Sequence, residues 1–381
     1  MAAAAATYLD LPPVTALALV QEGAETALVD AEALVSANRH CEAVEALEAL
    51  WEDVRHDAHL ALRQRLALGW SNLYLGELDE ADRVLVHAEG IAQSPRFDAA
   101  DRAEVLYRRG CVALKQSHVV DATALFTQAL DANARAPQPR PSLASRVHEW
   151  RSRCHVFLRD WVAALRDVER ALELAGVAQD VEAEAHALFQ ASIVAERQKQ
   201  WLLARCHAEQ ALELYRSLDN RLCTARMLNN LGGIDFLLGN VEAAESSLLE
   251  AIETAAEVGS DADLAQGVNS LAQVYLRTDR PLDARARALR AVELLEHRTD
   301  FLDELGNASL VVARSYQLEG EPDRAAGWLD RAEQAYAGLG STSHLASAWM
   351  ARGDLARSNG DVEAAADHFR RAADLLQDVH F

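Results

Sequence analysis

Lysine is almost missing: Lys115 and Lys199 are the only two in 381 residues. Arginine therefore supplies nearly every positive charge, a bias that fits a GC-rich bacterial coding sequence. Positive charge as a whole is short, with 37 Lys and Arg against 59 Asp and Glu, giving a formal net charge of −22. Such a chain does not bind nucleic acid non-specifically, because phosphate contacts draw on an excess of Lys and Arg. A local basic face remains compatible with that balance. Cysteine is scarce and odd in number (Cys41, Cys111, Cys154, Cys206, Cys223), with no C-x-x-C pair. This argues against a disulfide framework and fits reduced, cytoplasmic thiols. No uncharged apolar stretch reaches the ~18 residues of a membrane span, so no membrane partner is expected. The opening "MAAAAATYLDLPPVTALALV" has no basic residue ahead of its apolar part and carries Asp10, Pro12 and Pro13, which argues against a secretory leader.

Motifs that would name a reaction are also missing. G-x-x-x-x-G-K-[ST], G-x-G-x-x-G, G-x-S-x-G and H-E-x-x-H do not occur. "RCH" appears at Arg153–His155 and again at Arg205–His207, but in different repeat registers, so the two do not converge on one site. His56 and His59 are three apart with no further ligand of suitable spacing. The sequence therefore predicts a non-enzyme with no metal and no cofactor.

What is present is a period. Alanines recur at Ala43, Ala81, Ala122, Ala164, Ala204, Ala244, Ala284, Ala325 and Ala365, in steps of 38 to 42 residues. Four residues after each stands an apolar side chain, as in Leu85, Phe126 and Leu248. Seven after each stands Ala, except for Leu50 in the first unit. Twelve before each stands Gly, Ala or Ser, as in Gly69, Gly110, Ser152 and Gly232. Offsets of four and seven lie on one helix face. The small residue twelve back belongs to a preceding helix, so small side chains on both helices let their backbones approach closely. Gly76, Gly239, Gly320 and Gly360, five before the anchor, mark helix ends. Asp79, Asn240, Asp323 and Asp361 follow at the next helix start, and Pro281 and Pro322 fit a first helical turn. No run alternates with period two for long enough to make a sheet.

These columns, with the Leu-Gly of "LALGWSNLYLGELDEADRVLVHA" and "MLNNLGGIDFLLGNVEAAESSLLEAI", resemble the tetratricopeptide repeat (TPR) family. The resemblance covers roughly residues 24–378. It departs in its period of about 40 rather than 34 residues, and the aromatic nine before the anchor survives only as Tyr275 and Tyr316. Units of this length are similar to those of bacterial peptide-sensing regulators. The resemblance implies an all-α fold, a right-handed superhelical solenoid of about nine helix-turn-helix repeats. Residues 1–23 are expected to form an N-terminal tail and leading helix, 24–136 repeats one to three, 137–145 a Pro-rich connection, and 146–381 repeats four to nine. Phe369, Leu375, Leu376 and Phe381 make self-association through the last repeat an expectation.

In the resembling family the first helix of each unit lines a concave groove. By that analogy the groove positions here hold ten basic and six acidic residues, the reverse of the chain's balance. The residues expected to contact a ligand are Arg108, Arg146, Trp150, Arg153, Arg197, Arg226, Asn229, Asn230, Asn269, Gln273, Arg277 and Arg314. Arginine suits carboxylates, and amide side chains bond a peptide backbone without reading its sequence. The expected function is a scaffold or sensor binding an extended protein or peptide segment, acidic in part, in bacterial regulation. The alternatives are the sensory part of a regulator whose output domain lies on another chain, and a peptide-controlled aspartyl-phosphate phosphatase. The last is disfavoured because the short N-terminal segment leaves no room for a catalytic bundle.

Overall fold

The structure, a computed structural model, describes residues 13–298 and 300–377. Most of the expected N-terminal tail, and Phe381 at the other end, lie outside the described residues. Those described are helical, with turns and no strand, and the helices pair. In chain order the pairs are α1 (Pro13–Ser36) with α2 (His40–Ala49), then the single-turn α3 (Trp51–Val54); α4 (Ala58–Leu75) with α5 (Leu78–Ala92); α6 (Ala99–Lys115) with α7 (Val119–Arg135); and α8 (Pro141–Phe157) with α9 (Trp161–Ala178). Next come α10 (Val181–Arg197) and α11 (Trp201–Ser217), and then the pairs α12 (Arg221–Leu237) with α13 (Val241–Val258); α14 (Asp261–Arg277) with α15 (Pro281–Leu295); α16 (Leu302–Leu318) with α17 (Pro322–Leu339); and α18 (Thr342–Ser358) with α19 (Val362–Gln377). The chain forms two compact units, one up to Val194 and one from Ala195.

Every anchor alanine lies on a second helix and is buried. The small column lies on the facing first helix, and its reason is geometric. A Cβ added to Gly232 would stand 2.6 Å from Cγ of Leu248, one on Gly69 2.6 Å from Cγ of Leu85, and one on Gly110 2.6 Å from the Phe126 ring. The large residue four after the anchor therefore fills the space that the missing side chain leaves. Where Ser152 replaces glycine, its hydroxyl donates to the carbonyl of the anchor Ala164 at 3.0 Å. The column thus exchanges close approach for a hydrogen bond.

The turn inside each pair is equally regular. The residue five before the anchor is left-handed in all nine repeats: Gly76, Gly239, Gly320 and Gly360, and also Asn38, Ser117, Arg159, Lys199 and Asp279, with φ between 57° and 85°. Pro281 and Pro322 start their helices as expected. Asp361 caps α19 by accepting from the Ala364 N–H, whereas Asp79 and Asp323 stand in the first turn, where they oppose the helix dipole.

Two features differ from the sequence expectation. The first repeat's second helix is split into α2 and α3 at Leu50, the residue that replaces alanine in its column. The Pro-rich connection is shorter than 137–145, because Pro141 is already the first residue of α8. Asn133 ties it down, donating to the Arg140 carbonyl at 3.2 Å and accepting from the Arg140 N–H at 3.0 Å.

First helices of successive repeats touch directly, as α4 does α6, α6 does α8, α12 does α14 and α14 does α16. Among the described residues no two second helices meet to that extent. Within each unit the first helices thus form the tighter, inner layer.

Candidate functional site

In the N-terminal unit the inner layer is aromatic. Trp70 on α4, Tyr107 on α6 and Trp150 on α8 form a chain of rings, with centroids 6.0 Å apart for Trp70–Tyr107 and 6.5 Å for Trp70–Trp150. Tyr107 is buried, while Trp70 and Trp150 are partly exposed and pack on the core. Arginines lie over the tryptophan faces: Arg108 over Trp70 at 5.3 Å and Arg153 over Trp150 at 4.5 Å. Both are held from within their own helices, since Arg108 donates to Glu104 at 2.8 Å and Arg153 to the buried Glu149 at 2.6 Å. Arg108 also donates to the Leu66 carbonyl at 2.8 Å. Arg146 lies 3.6 Å from Asp180, whose carboxylate accepts from the Ala183 N–H at the start of α10.

In the C-terminal unit the layer is rich in amides. Arg226 on α12 forms a two-pronged pair with Asp263 on α14, at 2.6 and 3.0 Å. Asn229 and Asn230 are partly exposed, and the Oδ1 of Asn229 has no hydrogen-bond partner. Asn269, expected to line the groove and contact a ligand, is instead fully buried. Its Nδ2 donates to Glu304 on α16 at 2.7 Å, and its Oδ1 is unpartnered. Burial pushes the Glu304 carboxyl above the usual range; hydrogen bonds from Asn269, Gln266 and Asn307 work against that rise, and the charge of Asp303 adds to it. Gln273 is partly exposed. Arg197, Arg277 and Arg314 are exposed, Arg277 lying 5.7 Å over the Phe236 ring.

The expected basic surplus is therefore largely internal. Arg146 and Arg226 face Asp180 and Asp263, acids just before or in the first turn of the next first helix, and such positions lay outside the offsets read from sequence. A capping signal was present: in "GSDADLAQ", Ser260 and Asp263 read as a helix start, and the Ser260 hydroxyl donates to Asp263 at 2.6 Å. Glu304, three residues into α16, was missed for the same reason.

Cys111 and Cys154 offer no nucleophile at this face. Burial pushes the Cys111 thiol well up and that of Cys154 to about 11, so neither is a thiolate at neutral pH. The first "RCH" histidine, His155, instead lies 3.5 Å from Asp167, a buried carboxylate already bonded to His148 and Arg151. No helix among the described residues is long and apolar enough to cross a membrane.

Tetratricopeptide-repeat profiles match residues 223–297 and 346–375. No curated protein matches the chain by sequence. Among solved structures, the chain is similar to a Rap protein complexed with competence and sporulation factor, at 16% identity and a TM-score of 0.65, covering 94% of this chain and 98% of that one. It is similar to the apo form of the quorum sensor NprR from B. thuringiensis, at 15% identity and 0.62, covering 94% and 99%. It also resembles a Signal Transduction ATPase with Numerous Domains from Pyrococcus horikoshii that carries a tetratricopeptide repeat sensor, at 16% and 0.59, covering 90% of this chain and 54% of that one. At these identities the likeness is one of fold. The chain thus matches tetratricopeptide-repeat profiles over residues 223–297 and 346–375, and a similar helical hairpin recurs within each of its two units.

Proposed function

We propose that the chain is a non-enzymatic scaffold or sensor of bacterial regulation, cytoplasmic, whose first-helix layer holds an extended peptide or protein segment. The observation that carries this reading is the row of amides along that layer: Asn229, partly exposed and with an unpartnered Oδ1, and one repeat on the buried Asn269; Gln64 and Gln190 on other first helices also have unpartnered amide oxygens. A buried acceptor left unmade costs about 1–3 kcal/mol, and the N–H groups of an extended backbone are natural donors to it. Asn230 and Gln273 beside them are partly exposed, and exposed Arg277 and Arg314 offer partners to carboxylates of the segment. The described structures of a Rap protein with competence and sporulation factor and of NprR with its cognate peptide NprX support the reading by analogy of fold. A second reading, the sensory portion of a larger system, is favoured by the ATPase in which such an array is named as the sensor.

Affinity selection of random decapeptides on the full chain, with mass-spectrometric identification, tests the proposal. Retained peptides are expected to bind saturably. Asn229→Ala with Asn230→Ala should weaken binding at least tenfold, about 1.4 kcal/mol, with the melting temperature kept. Retention no greater than on an albumin control would contradict it.

A further inference from the structure

Among the described residues, the buried carboxylates Glu149, Asp167 and Asp235, and the partly buried Asp263, come with arginines. Glu149 has Arg153, Asp167 has Arg151, Asp235 has Arg205 and Asp263 has Arg226. Glu304, partly buried, has no such partner. Its donors are the neutral amides of Asn269, Gln266 and Asn307, and among the described residues no Lys, Arg or His pairs with it. The amide that donates to it, Asn269, is fully buried and leaves its own Oδ1 unpartnered. Glu304 itself is only partly buried, so the face is reachable. Neutral amides alone leave the charged form of this carboxylate without a cationic donor, the partner that would stabilise it most in a low dielectric.

We propose that Glu304 is the subsite for a cationic N–H donor of the bound segment, an α-ammonium or a Lys or Arg side chain. The proposal deepens the peptide-binding reading and rests on it. The ligand's cation takes the place that arginine fills at the carboxylates named above. The bound segment therefore carries positive charge at this point, even though exposed Arg277 and Arg314 suit carboxylates elsewhere along it.

The experiment uses the full chain and four pools of random pentapeptides, with Arg or Ala fixed at the third position and the N-terminus free or acetylated. On the wild type at least one cationic pool should be retained tenfold or more over the acetylated alanine pool. In Glu304→Gln that advantage should fall to within about twofold, whereas Glu253→Gln, at an exposed carboxylate on α13, should leave it intact. Persistence in the acetylated arginine pool assigns the side chain as donor; loss on acetylation of the alanine pool assigns the terminal ammonium. An advantage equal in wild type and Glu304→Gln, or none in the wild type while the neutral pool is retained, overturns the inference and spares the peptide reading. Retention of no pool overturns both. The melting temperature of Glu304→Gln, expected to be no lower than wild type, shows that the variant is folded.

Discussion

Gly232 and Gly233 are neighbours with opposite requirements. A Cβ on Gly232 would enter the Leu248 side chain, whereas one on Gly233 meets nothing within 4 Å. Gly232→Ala should therefore destabilise by about 1–3 kcal/mol through overpacking. Gly233→Ala should stabilise by about 0.5–1 kcal/mol, because alanine is the better residue in a helix interior. Chemical denaturation of both variants checks the pair, and equal effects would show that the small column is not a contact. Glu304 gives a pH prediction. Its folded carboxyl is pushed up by burial, so the folded state holds the proton more tightly than the unfolded chain. Its contribution to stability is then present at low pH and is lost as pH rises through the raised value. Thermal melts should show Glu304→Gln gaining on wild type at pH 7.5, with the gain shrinking as pH falls below that value. The charge of Asp303 nearby adds to the rise, and the Tyr336 phenol beyond Asn307, itself pushed up by burial, stays neutral, so the sign holds. A gain that grew on acidification would contradict it. At this scale the sequence was informative about packing and poor about pairing. A column of small residues repeats nine times and rises above chance. The two-pronged pairing of Arg226 is with an aspartate 37 residues away, set by the stacking of two helices, and nothing periodic announces it.

The helical hairpin is the element, and its closing turn is its most uniform part. Four repeats meet the left-handed position with glycine and five with a side chain, at a cost of about 1–2 kcal/mol for each non-glycine residue. Arg159→Gly should raise stability by up to about 1 kcal/mol, offset in part by the greater freedom of glycine in the unfolded chain. Gly239→Ala, at φ 85°, should lower it by about 1 kcal/mol. Urea titration of both variants decides. Only the four glycines among these turns were readable in advance, because Ser117, Arg159 and Lys199 carry no local sign of positive φ. The turns between repeats are less regular. Gln179, Asp219, Gly259 and Gly340 are left-handed fifteen residues after their anchors, whereas the third repeat leaves α7 through extended Ala136 and the Asn133 clasp. Three prolines marked that place in the sequence, but the clasp itself depends on two side-chain bonds that no motif encodes.

At the scale of the whole chain, nine repeats and an all-helical architecture were legible because each unit restates the same four columns. The ligand face was legible only in outline: first helices do form the inner layer, yet most of the arginines assigned to it answer acids of the protein itself. On α19, Val362 and Leu376 are exposed, and sedimentation velocity at micromolar concentration tests the expected self-association; a single monomeric species would count against it. The central claim, that the first-helix layer holds the segment, is tested most directly by photo-crosslinking. Benzoylphenylalanine is placed singly at Asn230 and Gln273 on first helices, and at Leu249 and Leu202 on exposed sides of second helices, in the presence of a selected peptide. The account predicts adducts from Asn230 and Gln273 alone; adducts of equal yield from Leu249 or Leu202 would contradict it.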